Sequence, residues 1–206
     1  MTLTNEQTQA IAKRLARMIL PVGIGDKENA CSIAAINLAL SGRLTDEVPT
    51  CMSKVIGEWV RDAQDAMPTE MRNSAEWKTL LPLAAGTGRD NEETRLDFII
   101  EWMFVDVLPS LQRQADAGGF GAEWLAMTEQ RTVEAACAAA LAADSKNARL
   151  AYRAAISASR AVSMREGTLA VNVARIVVMS LHTESDLWER FNPCGLLAKL
   201  IHLDRV

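Results

Sequence analysis

The chain has 206 residues, 49% hydrophobic and 23% charged, with a formal net charge of −4, the size and balance of one globular domain able to bury a substantial core. The acidic total, with a pI near 5.3, argues against a dedicated nucleic-acid binder, which carries a basic face. No apolar run approaches the roughly 18 residues of a membrane span, and MTLTNEQTQA lacks the basic-then-apolar order of a secretory signal, so a cytoplasmic chain with reduced cysteines is expected.

Helical periodicity runs almost from end to end. Thr4 and Gln7 have capping-box spacing, and Ile11, Leu15 and Met18 follow at intervals of four and three. Pro21, Gly23 and Gly25 make a loop. Asp26 is the expected N-cap of a second helix at 28–41, closed by Gly42 and apolar nearly all round, hence central. A third helix is predicted from Met52 to Ala66 on the stripe Val55, Ile56, Trp59, Val60 and Ala63, ending at Pro68. Ser74 caps a helix carrying Trp77, Leu80 and Leu81, with a kink or restart expected at Pro82.

Asp90 and Glu93 open a long amphipathic helix over 92–112, lined by Leu96, Ile99, Ile100, Met103, Val107 and Leu111 and bent at Pro109. Gly118 and Gly119 end it, and a short helix around Trp124 follows. Alanine dominates 128–166, where high helix propensity and small side chains suit closely packed helices, broken at Asp144 and Ser145. Thr168 caps a core-like helix over 169–181, Ser185 caps a short one, and Pro193 starts the last. One tyrosine and few β-branched residues disfavour a sheet. The expected fold is all-α: a single irregular bundle of about eight to ten helices over 1–206, with 28–41, 92–112 and 169–181 at its centre.

The chemistry-bearing residues are sparse. Cys31 and Cys51 sit at helix starts, where the dipole can lower a thiol pKa, but a catalytic thiol wants a base, and the two histidines, His182 and His202, are distant in sequence. The plainer reading is a pair of small buried residues. No CxxC, HxxxH or ExxH spacing occurs, so neither metal nor cofactor is expected. Asp97 and Glu101 share a helix face, read as solvated. The turn Gly86 to Asn91 resembles an anion-binding loop without a preceding strand or a Lys-Ser/Thr pair, and Arg89 within it is expected to pair with Asp46 or Asp65. Phe98 and Trp102 lie off the inner stripe of their helix and suggest a second contact surface, within the chain or with a partner. Arg149, Arg153 and Arg160 fall near one face of the alanine-rich region, an interaction strip for an acidic partner or nucleic acid or, most simply, a solvated face, without the interleaved aromatics that stack bases.

The stretch CSIAAINLALSGRLTDEVPTCMSKVIGEWVRDAQDAMP carries Cys31, Asp46, Pro49, Cys51 and Asp65-Ala66-Met67-Pro68. Gly86-Thr87-Gly88-Arg89, Leu96-Asp97 and the alanine-rich half follow it. In this order the motifs resemble a family of uncharacterised bacterial all-helical proteins, with Gln64 where that pattern has Asn and a shorter, less regular alanine region. The resemblance implies a helical fold and supplies no catalytic residue.

Two functions lead, ahead of a third, a nucleic-acid or anti-defence factor that binds another macromolecule. The leading one is a cytosolic interaction or adaptor protein, engaging another protein or itself. The alternative is an enzyme or small-molecule binder, its pocket between the Cys31–Pro68 block and the Gly86–Arg89 turn, lined by Cys31, Asp46, Cys51, Asp65 and Arg89.

Overall fold

The computed structural model describes residues 3–182 and 184–203. Among them there is no strand, only an isolated bridge between Gly25 and Ala30: the chain is all-α. It divides into two compact units, one of residues 1–95 and 193–206, the other of residues 96–192.

The first unit holds α1 (Asn5–Leu15), α2 (Ser32–Ser41), α3 (Lys54–Ala66), α4 (Thr69–Arg72), α5 (Ala75–Ala84), the first turn of α6 (Glu92–Trp102) and, from the chain's end, α13 (Pro193–Ile201). Thr4 and Gln7 form the expected capping box on α1. Helix α2 starts later than its periodicity predicts, with Cys31 as its cap. Asp26 instead takes the N–H groups of Glu28 and Asn29 at 2.8 Å, closing a ring that ends at the Gly25–Ala30 bridge. Short polar side chains bond their own following backbone in just this way, in competition with helix entry. Every residue of α2 from Ser32 to Leu38 is buried, as its all-round apolarity predicts. Trp59 of α3 and Trp77 of α5 pack with ring centroids 6.1 Å apart, and α13 packs on α5 and α3. Helix α5 runs through Pro82 to Ala84 without a restart.

A polar thread crosses this apolar interior. Trp77 Nε1 donates to Ser32 Oγ, Ser32 N donates to Gln64 Oε1, and Gln64 Nε2 donates to the Pro21 carbonyl. Each buried polar atom on it has a partner, so the thread fixes how α2, α3 and α5 register without a desolvation penalty left open.

The second unit begins with the rest of α6 and continues through α7 (Gln112–Gly118), α8 (Gly121–Gln130), α9 (Val133–Ser145), α10 (Arg149–Met164), α11 (Gly167–Leu181) and α12 (Glu184–Phe191). The expected helix over 92–112 is not continuous. After Trp102 it widens into a π-helical turn, Met103–Val107, then tightens into a 3₁₀ turn, Leu108–Leu111, that contains Pro109. Proline has no N–H to give and its ring crowds the carbonyl four residues back, so the hydrogen-bond ladder changes pitch around it.

The alanine-rich segment forms two helices, parted as expected after Asp144 and Ser145. Ala136, Ala139, Ala140 and Ala143 of α9 and Ala154, Ala155, Ala158 and Ala161 of α10 are fully or almost fully buried, and α9 packs on α10, and α10 on α11. Thr168 lies inside α11, not at its cap, and Ser185 lies inside α12. Arg131, Arg165 and His182 end α8, α10 and α11 in the left-handed conformation with φ of 56°, 54° and 53°, a position where glycine is usual.

Candidate functional site

The five residues expected to line a pocket all lie in the first unit, and local structure uses Cys31, Cys51, Asp65 and Arg89. Cys31 is 3% exposed and its Sγ accepts from Ala34 N at 3.4 Å. Burial pushes its thiol pKa up, and the charges of Asp46 and Asp65 push it further. Cys51 is also buried, with its thiol raised by burial and only partly offset by nearby groups that include Arg89. A nucleophilic cysteine needs the opposite, an electropositive and accessible setting, so the helix-start positions do not activate these thiols.

Arg89 does not pair with Asp46 or Asp65. It is exposed and its Nη2 reaches the carbonyls of Val48 and Pro49, both at 3.4 Å. Asp65 accepts from Gly23 N at 2.9 Å. The Cys51 segment and the Gly86–Arg89 turn are bound to each other directly: Gly88 N donates to the Cys51 carbonyl at 2.8 Å and Ser53 N to Thr87 Oγ1 at 3.0 Å. The anion that this region does hold is the chain's own. Glu92 sits on the N-terminus of α3, accepting from Ser53 Oγ at 2.5 Å, Lys54 N at 2.7 Å and Val55 N at 3.1 Å.

The residues singled out for a second surface divide. Trp102 is 3% exposed, its Nε1 donating to the Phe191 carbonyl at 2.6 Å and its ring edge-on to Phe191, a contact within the second unit. Phe98 is half-buried. Arg149, Arg153 and Arg160 are exposed along α10. Asp97 and Glu101 are paired with Arg165 at 2.7 Å and Arg131 at 3.8 Å. Among the described residues no three of His, Cys, Asp and Glu converge as a metal would need, and no helix is long and apolar enough to cross a membrane.

What periodicity missed is the loop between α1 and α2. Ile19, Val22 and Ile24 are 62%, 58% and 40% exposed, yet the backbone carrying them is tied down almost residue by residue. Lys78 Nζ donates to the Met18 carbonyl at 2.8 Å. Ile19 N donates to Asn29 Oδ1 and Leu20 N to Asn73 Oδ1. The Leu20 carbonyl accepts from Arg72 Nε and Asn73 Nδ2, and the Pro21 carbonyl from Gln64 Nε2. Gly23 N donates to Asp65, and Cys31 N donates to the Ile24 carbonyl. Asp65 thus belongs to a clamp that α3, α4 and α5 build around this loop. The signal in the sequence is three branched apolar residues among Pro21, Gly23 and Gly25, where a polar turn is ordinary.

Comparison of the chain with protein-family models, with curated proteins and with solved structures finds no match in any of the three.

Proposed function

We propose that this chain is a non-catalytic interaction protein of the cytoplasm, which engages another protein, in the first instance a second copy of itself. The observation that supports this reading is the α1–α2 loop. Exposed branched apolar side chains gain by leaving water, at about 25 cal/mol per Å² of apolar surface. A flexible loop would forfeit much of that gain in ordering on association. Here the ordering is already complete: side chains from α3, α4 and α5 hold the backbone of Met18 to Gly23. The buried thiols of Cys31 and Cys51, both pushed up by burial, favour a binding role over a nucleophilic one.

Native mass spectrometry of the protein from its own host, beside the triple variant Ile19→Ser, Val22→Ser, Ile24→Ser, tests this. The wild type is expected as a homo-oligomer or with a second protein bound, and the variant as a folded monomer. A wild type that stays monomeric and unaccompanied at micromolar concentration, or an assembly that the triple variant leaves intact, overturns it.

A further inference from the structure

On α1, Ala10, Lys13 and Arg14 share one face, and Arg17 continues it just beyond the helix end, at spacings of three, four and seven from Ala10. These residues and Met18 line a cleft of about 420 Å³ together with Glu28 and, on α2, Leu38 and Ala39. Three cations therefore meet one carboxylate in a chain whose net charge is −4. Among the described residues none of Lys13, Arg14 and Arg17 is in an ion pair. The guanidinium of Arg14 is held in place by donation from Nη2 to the Lys27 carbonyl at 3.0 Å, while its Nε is buried and has no acceptor.

The helix dipole accounts for Lys13 and Arg14 in the last turn of α1, where cations are favoured. It does not account for the hollow beside them or for the apolar wall. A planar guanidinium fixed at one nitrogen is pre-organised for a carboxylate or phosphate group. The volume lies at the small end of ligand pockets, which limits the occupant to a compact molecule.

We propose that the cleft between α1 and α2 binds a small amphiphilic anion: a carboxylate or phosphate head among Lys13, Arg14 and Arg17, and a short aliphatic body against Ala10, Met18, Leu38 and Ala39. This site shares Arg17, Met18 and Glu28 with the α1–α2 loop but none of the exposed Ile19, Val22 and Ile24, and it does not depend on their role.

The test is an amide-resolved NMR titration of the full chain with octanoate, octyl phosphate and inorganic phosphate. The octyl probes are expected to shift Ala10 to Met18 and Leu38 to Ala39 saturably, with affinity falling as salt rises. Inorganic phosphate, lacking the body, is expected to bind about tenfold more weakly or worse. The tighter of the two octyl probes identifies the head group. The variant Lys13→Gln, Arg17→Gln should lose about tenfold in affinity, and Ala10→Phe, at an exposed position, should fill the cleft and abolish binding. Both change no hydrogen bond described above and should keep the wild-type urea midpoint. Absence of saturable shifts with either octyl probe, shifts that map elsewhere, equal affinity for inorganic phosphate, or binding unaltered in both variants would each overturn the proposal.

Discussion

Glu92 gives the sharpest quantitative prediction. Its carboxylate accepts three hydrogen bonds at the start of α3: from Ser53 Oγ, Lys54 N and Val55 N. In Glu92→Ala all three donors lose their acceptor. Ser53 Oγ still accepts from Ile56 N at 3.1 Å, so the helix keeps its own cap. Lys54 N is at the surface and regains water, whereas Val55 N is part-buried. A hydrogen bond to a charged group contributes about 1.5–3 kcal/mol, and the favourable charge at the helix N-terminus about 0.3–1 kcal/mol. With one donor rehydrated, the expected loss is about 2 kcal/mol. Glu92→Gln keeps a neutral acceptor and should lose about half as much. Urea denaturation followed by far-UV circular dichroism measures both, with an unchanged slope expected. Hydrogen exchange adds a local readout, since the Val55 amide should lose protection in Glu92→Ala. A Glu92→Ala midpoint equivalent to less than about 0.5 kcal/mol would refute the reasoning and mean that water replaces the carboxylate without cost.

Two further expectations can be checked in the same way. Gly23 and Gly25 both have positive φ, of 71° and 73°, but a Cβ at Gly23 meets nothing within 4 Å while one at Gly25 would lie 2.1 Å from the Asn29 carbonyl oxygen. Gly23→Ala should therefore cost about 1 kcal/mol of backbone strain and Gly25→Ala clearly more, and equal urea midpoints would contradict the ring geometry. The Cys194 thiol is pushed up to about 11 by burial, with the Glu76 charge adding to it. Because the folded value lies above the ordinary thiol value of 9.0, the stabilisation from keeping this thiol neutral is complete below that value and is lost as pH rises through the folded one. Stability should fall between those limits, with a shallower fall in Cys194→Ala; a pH-independent midpoint there, or an identical slope in the variant, would count against it.

Features legible in the sequence were those with a local cause. The Thr4–Gln7 box, the α3 stripe, the stop at Pro68 and the break after Asp144 each depend on residues within a turn or two, where side-chain type constrains backbone directly. The α1–α2 loop is held by contacts such as Gly23 to Asp65 and Met18 to Lys78, 42 and 60 residues apart in sequence, and no periodicity encodes those. Arg89 shows a second reason. A cation in sequence suggests an acidic partner, but backbone carbonyls are everywhere and Val48 and Pro49 supply them. Trp102 shows a third. It lies off the stripe of a regular helix, but the ladder widens to π right after it, and the chain at Trp102 and Met103 is buried on more than one side. The thiols were readable only as alternatives, because activation and burial act on the same residue type and the deciding term is the environment the fold creates.

The left-handed arginines at the ends of α8 and α10 place the chain on a particular side of a trade. Glycine at either position would relieve about 1 kcal/mol of steric strain, more than a solvent-exposed ion pair ordinarily returns, which is about 0–1 kcal/mol. The chain instead keeps Arg131 and Arg165, whose side chains reach Glu101 and Asp97, one turn apart on α6. Two helix ends are thereby latched to a third helix by charge, on backbone that is strained to allow it. Such latches weaken with ionic strength while the strain does not, so salt alone should loosen the second unit at these two corners before it affects the alanine seam between α9 and α10.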